Sequence, residues 1–136
     1  ILLDCPPSLG LLTINALVSA DEILVPLQCE YLAMRGLDAL VDTIARIQRR
    51  LNPSLNLFGI LPTMYNARRA HSREIIQTVR AKYPNKVLDV MIKESVKFAE
   101  APAERRTIFE LSGDNDGATA YRQLAQVVMN GRPAQY

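Results

Sequence analysis

Apolar positions along the chain come in short blocks whose period changes from block to block, the pattern of strands alternating with helices. Ile1 to Leu3 is an apolar run closed by Asp4 and two prolines, which reads as the end of a buried parallel strand. Asp4 to Ser8 is a loop, because Pro6 and Pro7 block regular structure. Leu9 to Ala20 reads as a helix, and Glu22 to Pro26 as a strand. Met34, Leu37, Leu40, Val41, Ile44, Ile47 and Leu51 recur at helical spacing and predict the clearest amphipathic helix, stopped by Asn52-Pro53. Leu55 to Leu61 reads as a strand closed by Pro62. A polar loop from Thr63 to Ala70 leads to a helix with Ser72 as its N-cap and Ile75, Ile76, Val79 and Tyr83 on its buried side. Val87 to Ile92 is strand-like although Asp89 interrupts it, Val96 to Ala101 predicts a short helix, and Thr107 to Leu111 a short strand. Ala118, Tyr121, Leu124, Ala125 and Val128 share one face of a last helix, ended by Gly131 and Pro133. The alternation predicts an α/β fold: a parallel sheet with helices on both faces.

Length fits this as one domain: 136 residues, 49% hydrophobic and 22% charged, can bury a core and are not a disordered chain. No apolar run reaches the ~18 residues of a membrane span. One histidine (His71) and two separated cysteines (Cys5, Cys29) cannot build a zinc site unaided. Two reduced thiols predict a cytoplasmic protein. A domain seldom begins inside a central strand, so the expectation is a C-terminal portion (1–129) of a longer domain, incomplete at its N-terminus, with a frayed tail at 130–136. The net charge of +2 is unevenly spread. From Thr63 to Arg106 ten Lys/Arg stand against five Asp/Glu, a net of +5, and the remainder is net −3. A basic segment of this kind suits a polyanion, or is a solvated helix face.

In parallel α/β sheets ligands bind beyond the carboxyl ends of the strands. The residues expected there are Asp4-Cys5-Pro6-Pro7, Gln28-Cys29-Glu30, Thr63-Met64-Tyr65-Asn66 and Lys93-Glu94-Ser95. An acid at the end of an apolar strand, as Asp4 is, can orient the water shell of Mg²⁺, or can simply form a turn. The phosphate-cradling loop Gly-x-x-x-x-Gly-Lys-Ser/Thr does not occur: none of the six glycines precedes a lysine.

The run Asp4-Cys5-Pro6-Pro7-Ser8-Leu9-Gly10, followed by Leu12-Thr13-Ile14-Asn15-Ala16-Leu17, resembles the ParA/Soj chromosome- and plasmid-partitioning ATPases. Val25-Pro26-Leu27-Gln28-Cys29-Glu30-Tyr31 and the block from Gly59 to Arg68 continue the likeness. Ser95 to Pro102 and Gly117-Ala118-Thr119-Ala120-Tyr121 complete it, to about Met129. The resemblance implies a deviant Walker P-loop NTPase fold that binds ATP and Mg²⁺, forms a homodimer, binds DNA without sequence preference and answers to a ParB-type partner, cytoplasmic and nucleoid-associated. By position, Asp4 is then the acid that holds Mg²⁺ through water and Pro6 lies beside the nucleotide. Thr63 and Met64 line the adenine pocket, and Ile92 and Lys93 belong to the loop closing over the base. Lys93 departs from the family, where proline is common. Glu30 resembles an acid at the dimer interface, or serves the helix dipole. Arg68 and Lys97 match DNA-binding positions, while Arg69, Arg73, Arg105 and Arg106 either widen that patch or are solvated charges. Because the P-loop is missing, the chain alone is expected to be inactive.

Three rivals stand beside this reading. A MinD-like membrane-cycling ATPase needs a basic amphipathic helix at the C-terminus, which Asn130 to Tyr136 is too short to form. A truncated, non-enzymatic module would bind DNA or a ParA protein. An iron–sulfur carrier would use Cys5 or Cys29.

Overall fold

The computed structural model describes residues 1–6 and 8–131. Pro7 of the Asp4–Gly10 motif and the tail beyond Gly131, with its expected stop at Pro133, lie outside the described residues. The centre of the fold is a parallel pair, β1 (Glu22–Gln28) and β2 (Asn56–Thr63), joined by the long helix α2 (Tyr31–Arg50). Both strands run two residues beyond their predicted ends, through Pro26 and Pro62. The register from Glu22↔Asn56 to Gln28↔Thr63 slips once, between Ile23↔Leu57 and Leu24↔Gly59. That slip is a bulge, and it decides which way β2 faces. Side chains of a strand alternate between faces, so Phe58 and Ile60 would otherwise point the same way. The extra residue lets Leu57 and Ile60 join Ile23, Val25 and Leu27 on one face, while Phe58 and Leu61 join Leu24 on the other.

Each face is covered, as a parallel pair requires. On the first, Leu37 of α2 and Ile75 and Val79 of α3 (Ala70–Lys82) pack on Val25, Leu27 and Ile60. Leu17 of α1 (Leu11–Ser19) meets Ile44, Ile47 and Leu55 beside them. On the second face Ala120 and Leu124 of α6 (Asp116–Asn130) pack on Phe58, Leu61, Leu88 and Ile92. The short helices α4 (Lys97–Ala103) and α5 (Ile108–Ser112) connect that segment to α6. Gly117 sits so close to Phe98 of α4 that a Cβ there would lie 2.5 Å from the ring, and Phe98 meets Tyr121 edge-on with ring centroids 5.8 Å apart.

Four local expectations are corrected. The run Ile1–Leu3 forms no strand: it is exposed and pairs with nothing among the described residues, because a strand exists only against a neighbour that supplies its hydrogen bonds. Val87–Ile92 forms no continuous strand. Ile60 donates to Lys86 O and accepts from Leu88 N, after which the ladder stops. The next donor on β2 would be residue 62, and Pro62 has no N–H. The chain loops out over Asp89, Val90 and Met91, then returns where Ile92 N donates to Pro62 O at 2.9 Å. Thr107–Leu111 is helical, not extended. Thr107 and Glu110 cap it reciprocally: the Thr107 hydroxyl accepts from Glu110 N, and the Glu110 carboxylate accepts from Thr107 N. Ser72 lies buried inside α3, whose N-cap is Arg69.

Two polar contacts tie the helices down. Asn52, buried, donates through Nδ2 to the last carbonyls of α1, Leu17 O at 3.1 Å and Ala20 O at 2.8 Å, and accepts from Ser54 Oγ through Oδ1. Asp38 of α2 accepts from Lys82 Nζ and from the hydroxyl of Tyr83, both at 2.6 Å, and clamps α2 to the end of α3. The bond from Lys82, then that from Tyr83, holds the Asp38 carboxyl below its usual range; burial, then the carboxylate, pushes Tyr83 up to about 12.

Asn52→Ala is expected to cost about 1–3 kcal/mol, since it strands carbonyls at a buried helix end. The drop in the urea midpoint measures it, and an unchanged midpoint would contradict the role assigned to Asn52. Tyr83→Phe is expected to cost about 1 kcal/mol at neutral pH. Asp38 has a depressed pKa, so its share is present above the usual carboxylate range and lost as pH falls through the lowered value. Tyr83 has a raised pKa, so its share is full below its ordinary 10 and lost as pH rises toward about 12. Melting curves of the variant and parent should therefore converge at both ends of the pH scale.

Candidate functional site

Three segments meet where β1 and β2 end. Backbone hydrogen bonds join them: Cys29 N after β1 donates to Thr63 O at 3.2 Å, and Tyr65 N after β2 donates to Ile92 O at 3.1 Å. Glu94 N returns the bond to Tyr65 O at 3.0 Å. Met64 makes the turn out of β2 with a left-handed backbone (φ 52°), a conformation an unbranched side chain adopts at some cost, and its side chain is left half exposed. Thr63, Met64, Ile92 and Lys93, predicted as one nucleotide-facing group, are thus brought together by the sheet edge.

Their available chemistry differs. Ile92 is buried, and both its backbone groups are committed, N–H to Pro62 and C=O to Tyr65. Lys93 is the bridged residue opposite Tyr65, so the bonds to that neighbour are made by Ile92 and Glu94 while its own N–H and C=O face away. A base docking on this edge would find a main-chain donor and acceptor at Lys93, not at Ile92. The Lys93 ammonium donates to Asp116 at the start of α6, 2.7 Å away, and that bond lowers the Asp116 pKa.

The cations lie on the neighbouring loops. Asn66 Oδ1 accepts from Arg68 N at 3.0 Å, forming an Asx turn that projects Arg68 outward, exposed. Asn66 Nδ2 donates to Glu94 Oε2, which also pairs with Arg69 at 3.4 Å. Arg73 Nη1 donates to Ala67 O and fastens the same loop. Lys97, at the first turn of α4, pairs with Glu100 at 2.7 Å, and that bond raises its pKa. Among the described residues the guanidinium of Arg68 has no ion-pair partner. Sequence reasoning placed Asn66 and Glu94 at the strand ends without a specific role, and did not single out Glu100 or Asp116. The Asn-x-Arg spacing of the Asx turn and the i, i+3 spacing of Lys97 and Glu100 were legible; the Asn66–Glu94 and Lys93–Asp116 contacts join residues far apart in sequence.

Asp4 and Pro6 stand apart. Both are exposed, in a coil held to the body through α1, where Thr13 Oγ1 donates to Ser8 O at 2.7 Å. No hydrogen bond or ion pair among the described residues joins them to the three loops. Glu30 occupies the N-cap of α2 without capping it through its side chain, so its carboxylate is exposed at the positive end of a helix. Cys29 is buried, and desolvation pushes its thiol up to about 11, which keeps it a protonated core residue while Cys5 is exposed.

For ATP the sheet-end loops fit the base: an exposed thioether at Met64 and an outward main-chain edge at Lys93. For Mg²⁺ the fit is a single exposed carboxylate, Asp4, suited to holding one water of the metal's shell. Among the described residues no group of three or more His, Cys, Asp or Glu converges as a direct ligand set. No helix of the described residues is long and apolar enough to cross a membrane.

A family model described as an AAA domain matches residues 1–57. The chromosome-partitioning ATPase Soj of Treponema pallidum is 41% identical over 129 residues, 95% of this chain and 51% of that protein. The chromosome partitioning protein ParA of Caulobacter vibrioides is 41% identical over 130 residues, 96% of this chain and 49% of that protein. Among solved structures, cobyrinic acid a,c-diamide synthase from Mycobacterium smegmatis, with a bound ATP analog and magnesium, superposes with a TM-score of 0.73. It is 39% identical and covers 93% of this chain, which covers 44% of it. The chain spans about half the length of the curated relatives it matches. With the parallel α/β frame of these P-loop-type proteins and about 41% identity to Soj and ParA along nearly its whole length, the chain belongs to the ParA/Soj family of partitioning ATPases.

Proposed function

We propose that this chain supplies the base-side wall and the DNA-facing loops of an ATP-dependent partitioning protein. The observation that carries the reading is the 41% identity to Soj across 95% of the chain, a span wide enough to include the loops that meet at the sheet edge. In this reading ATP lies along that edge, its base against Thr63, Met64 and the outward backbone of Lys93. Ile92 acts as the buried support beneath. Pro6 stiffens the approach of Asp4, whose carboxylate accepts from a water of Mg²⁺, and the bound metal neutralises phosphate charge. Glu30 faces a second copy across a homodimer. Arg68 and Lys97 contact DNA phosphates, which needs no base recognition. A ParB-type protein stimulates the whole, and the setting is cytoplasmic and nucleoid-associated.

A second reading rests on the solved neighbours, which act on cobyrinic acid by their printed name. Both readings share ATP and magnesium, and differ in whether a polyanion is bound.

Phosphoryl transfer needs amides and a lysine around the β- and γ-phosphates. The sequence holds no Gly-Lys-Ser/Thr to supply them. The 136-residue chain is therefore expected to show no ATP turnover above background in a phosphate-release assay. Turnover that disappears on Asp4→Ala would show that the site is complete without such a loop.

Binding of unrelated duplexes, titrated with salt, tests the polyanion face. If Arg68 and Lys97 each contact one phosphate, replacing either with Ala should weaken both duplexes alike and flatten log affinity against log salt by roughly 0.9. A double variant with unchanged affinity and slope removes DNA from this face and leaves the second reading standing.

A further inference from the structure

The cations proposed to meet phosphate are not equally available. Glu94 sits between the two loops, accepting from Asn66 Nδ2 at 3.1 Å and pairing with Arg69 at 3.4 Å. One short step along the chain, Glu100 holds the Lys97 ammonium at 2.7 Å. Arg68 projects from the same Asx turn with no ion-pair partner among the described residues. Glu94 is followed directly by the Ser95 whose hydroxyl accepts from Lys97 N, so both ion pairs lie on one continuous stretch beside Arg68. All four paired side chains are at least 40% exposed, so the partners can separate without desolvation.

We propose that Glu94 and Glu100 are built-in competitors for the polyanion: each occupies a cation of the binding face, Arg69 and Lys97 respectively, and lowers the affinity of that face for phosphate. The inference rests on the polyanion reading above and deepens it by naming the regulation of the same surface. The physics is exchange. A phosphate reaching Lys97 must displace the Glu100 carboxylate, which already satisfies the ammonium, so less is gained than at the unpaired Arg68. The raised pKa of Lys97 agrees with an ammonium held by a near carboxylate. Glu94 has a further hold, because its bond to Asn66 fixes the turn that aims Arg68. Surface acids of this kind keep a face that could bind tightly in a reversible range.

The test uses Glu94→Gln and Glu100→Gln, singly and together, in the full 136-residue chain. Glutamine keeps an acceptor for Asn66 Nδ2 while removing the charge, and a thermal melt checks that the fold is intact. Glu22→Gln, at the opposite end of β1, carries the same charge change away from the face. Fluorescence anisotropy with two duplexes of unrelated sequence, across a salt series, gives affinity and slope. Glu94→Gln, which frees Arg69 to gain a phosphate, should steepen the slope by roughly 0.9 and tighten binding about fivefold at 0.15 M salt, while Glu100→Gln should tighten binding severalfold with the slope unchanged, because Lys97 is already counted among the phosphate contacts. Glu22→Gln should leave the slope unchanged. If the parent binds and the Glu94 and Glu100 variants match it, or match Glu22→Gln, the competitor role fails while the polyanion reading stands. If neither parent nor variants bind either duplex at low salt, both fail. Binding that appears only in the variants supports the competitor role in its strongest form.

Discussion

Two parallel strands leave apolar side chains on both faces and cannot persist unless each face is covered. β1 and β2 meet that demand with helices on either side, and the bulge beside Gly59 makes the arrangement possible. Without the extra residue, Ile60 and Leu61 would exchange faces and every contact beyond them would be reversed. Ile60 is completely buried beneath α3, and Leu61 is buried against α6. One residue of register therefore decides which helices can attach, and through them where the loops at the sheet end lie.

The same pair places the candidate site. Pro62 gives β2 an acceptor without a donor, so the third segment cannot follow it as a regular strand. The segment swings out and returns at Ile92, which spends both its main-chain groups on the sheet and leaves those of Lys93 facing outward. The loop at Met64 to Arg69 is held to this returning segment by Tyr65 and by Asn66. A missing N–H thus reaches the chemistry: it determines which backbone groups stand at the edge and which lysine and glutamate flank them.

Charge on this surface is arranged in pairs more than the sequence balance suggests. The +5 segment contains Lys93, Arg69 and Lys97, but each is matched to an acid, Asp116, Glu94 and Glu100. Exposed pairs of this kind add little to stability, typically under about 1 kcal/mol. What the pairing changes is the charge on display, since a paired cation presents a dipole where Arg68 presents a full charge.

Much of this was legible from the residues in order. Period-3.6 spacing from Met34 to Leu51 gives α2, and the apolar blocks at 22–26 and 55–61 give the two strands to within two residues, because both signals are local. The motifs from Asp4, Gly59 and Ser95 pointed to the ParA/Soj family that the relatives bear out. Thr107-x-x-Glu110 carried its own helix-start signal, overlooked in favour of a short apolar run. Other features had no local trace. Whether Ile1–Leu3 is a strand depends on a neighbour to supply hydrogen bonds, and apolarity alone cannot supply one. That Asn52 would cap α1 from 32 residues away, that Pro62 would break a strand it does not belong to, and that Glu94 would reach Asn66 all depend on segments meeting in space. Sequence determined the long helices, the two central strands and the family they belong to, since periodicity and motifs are properties of neighbouring residues. The tertiary structure alone decided which backbone groups and which charges are left free at the sheet edge, because a donor is free only when the fold has brought it no partner.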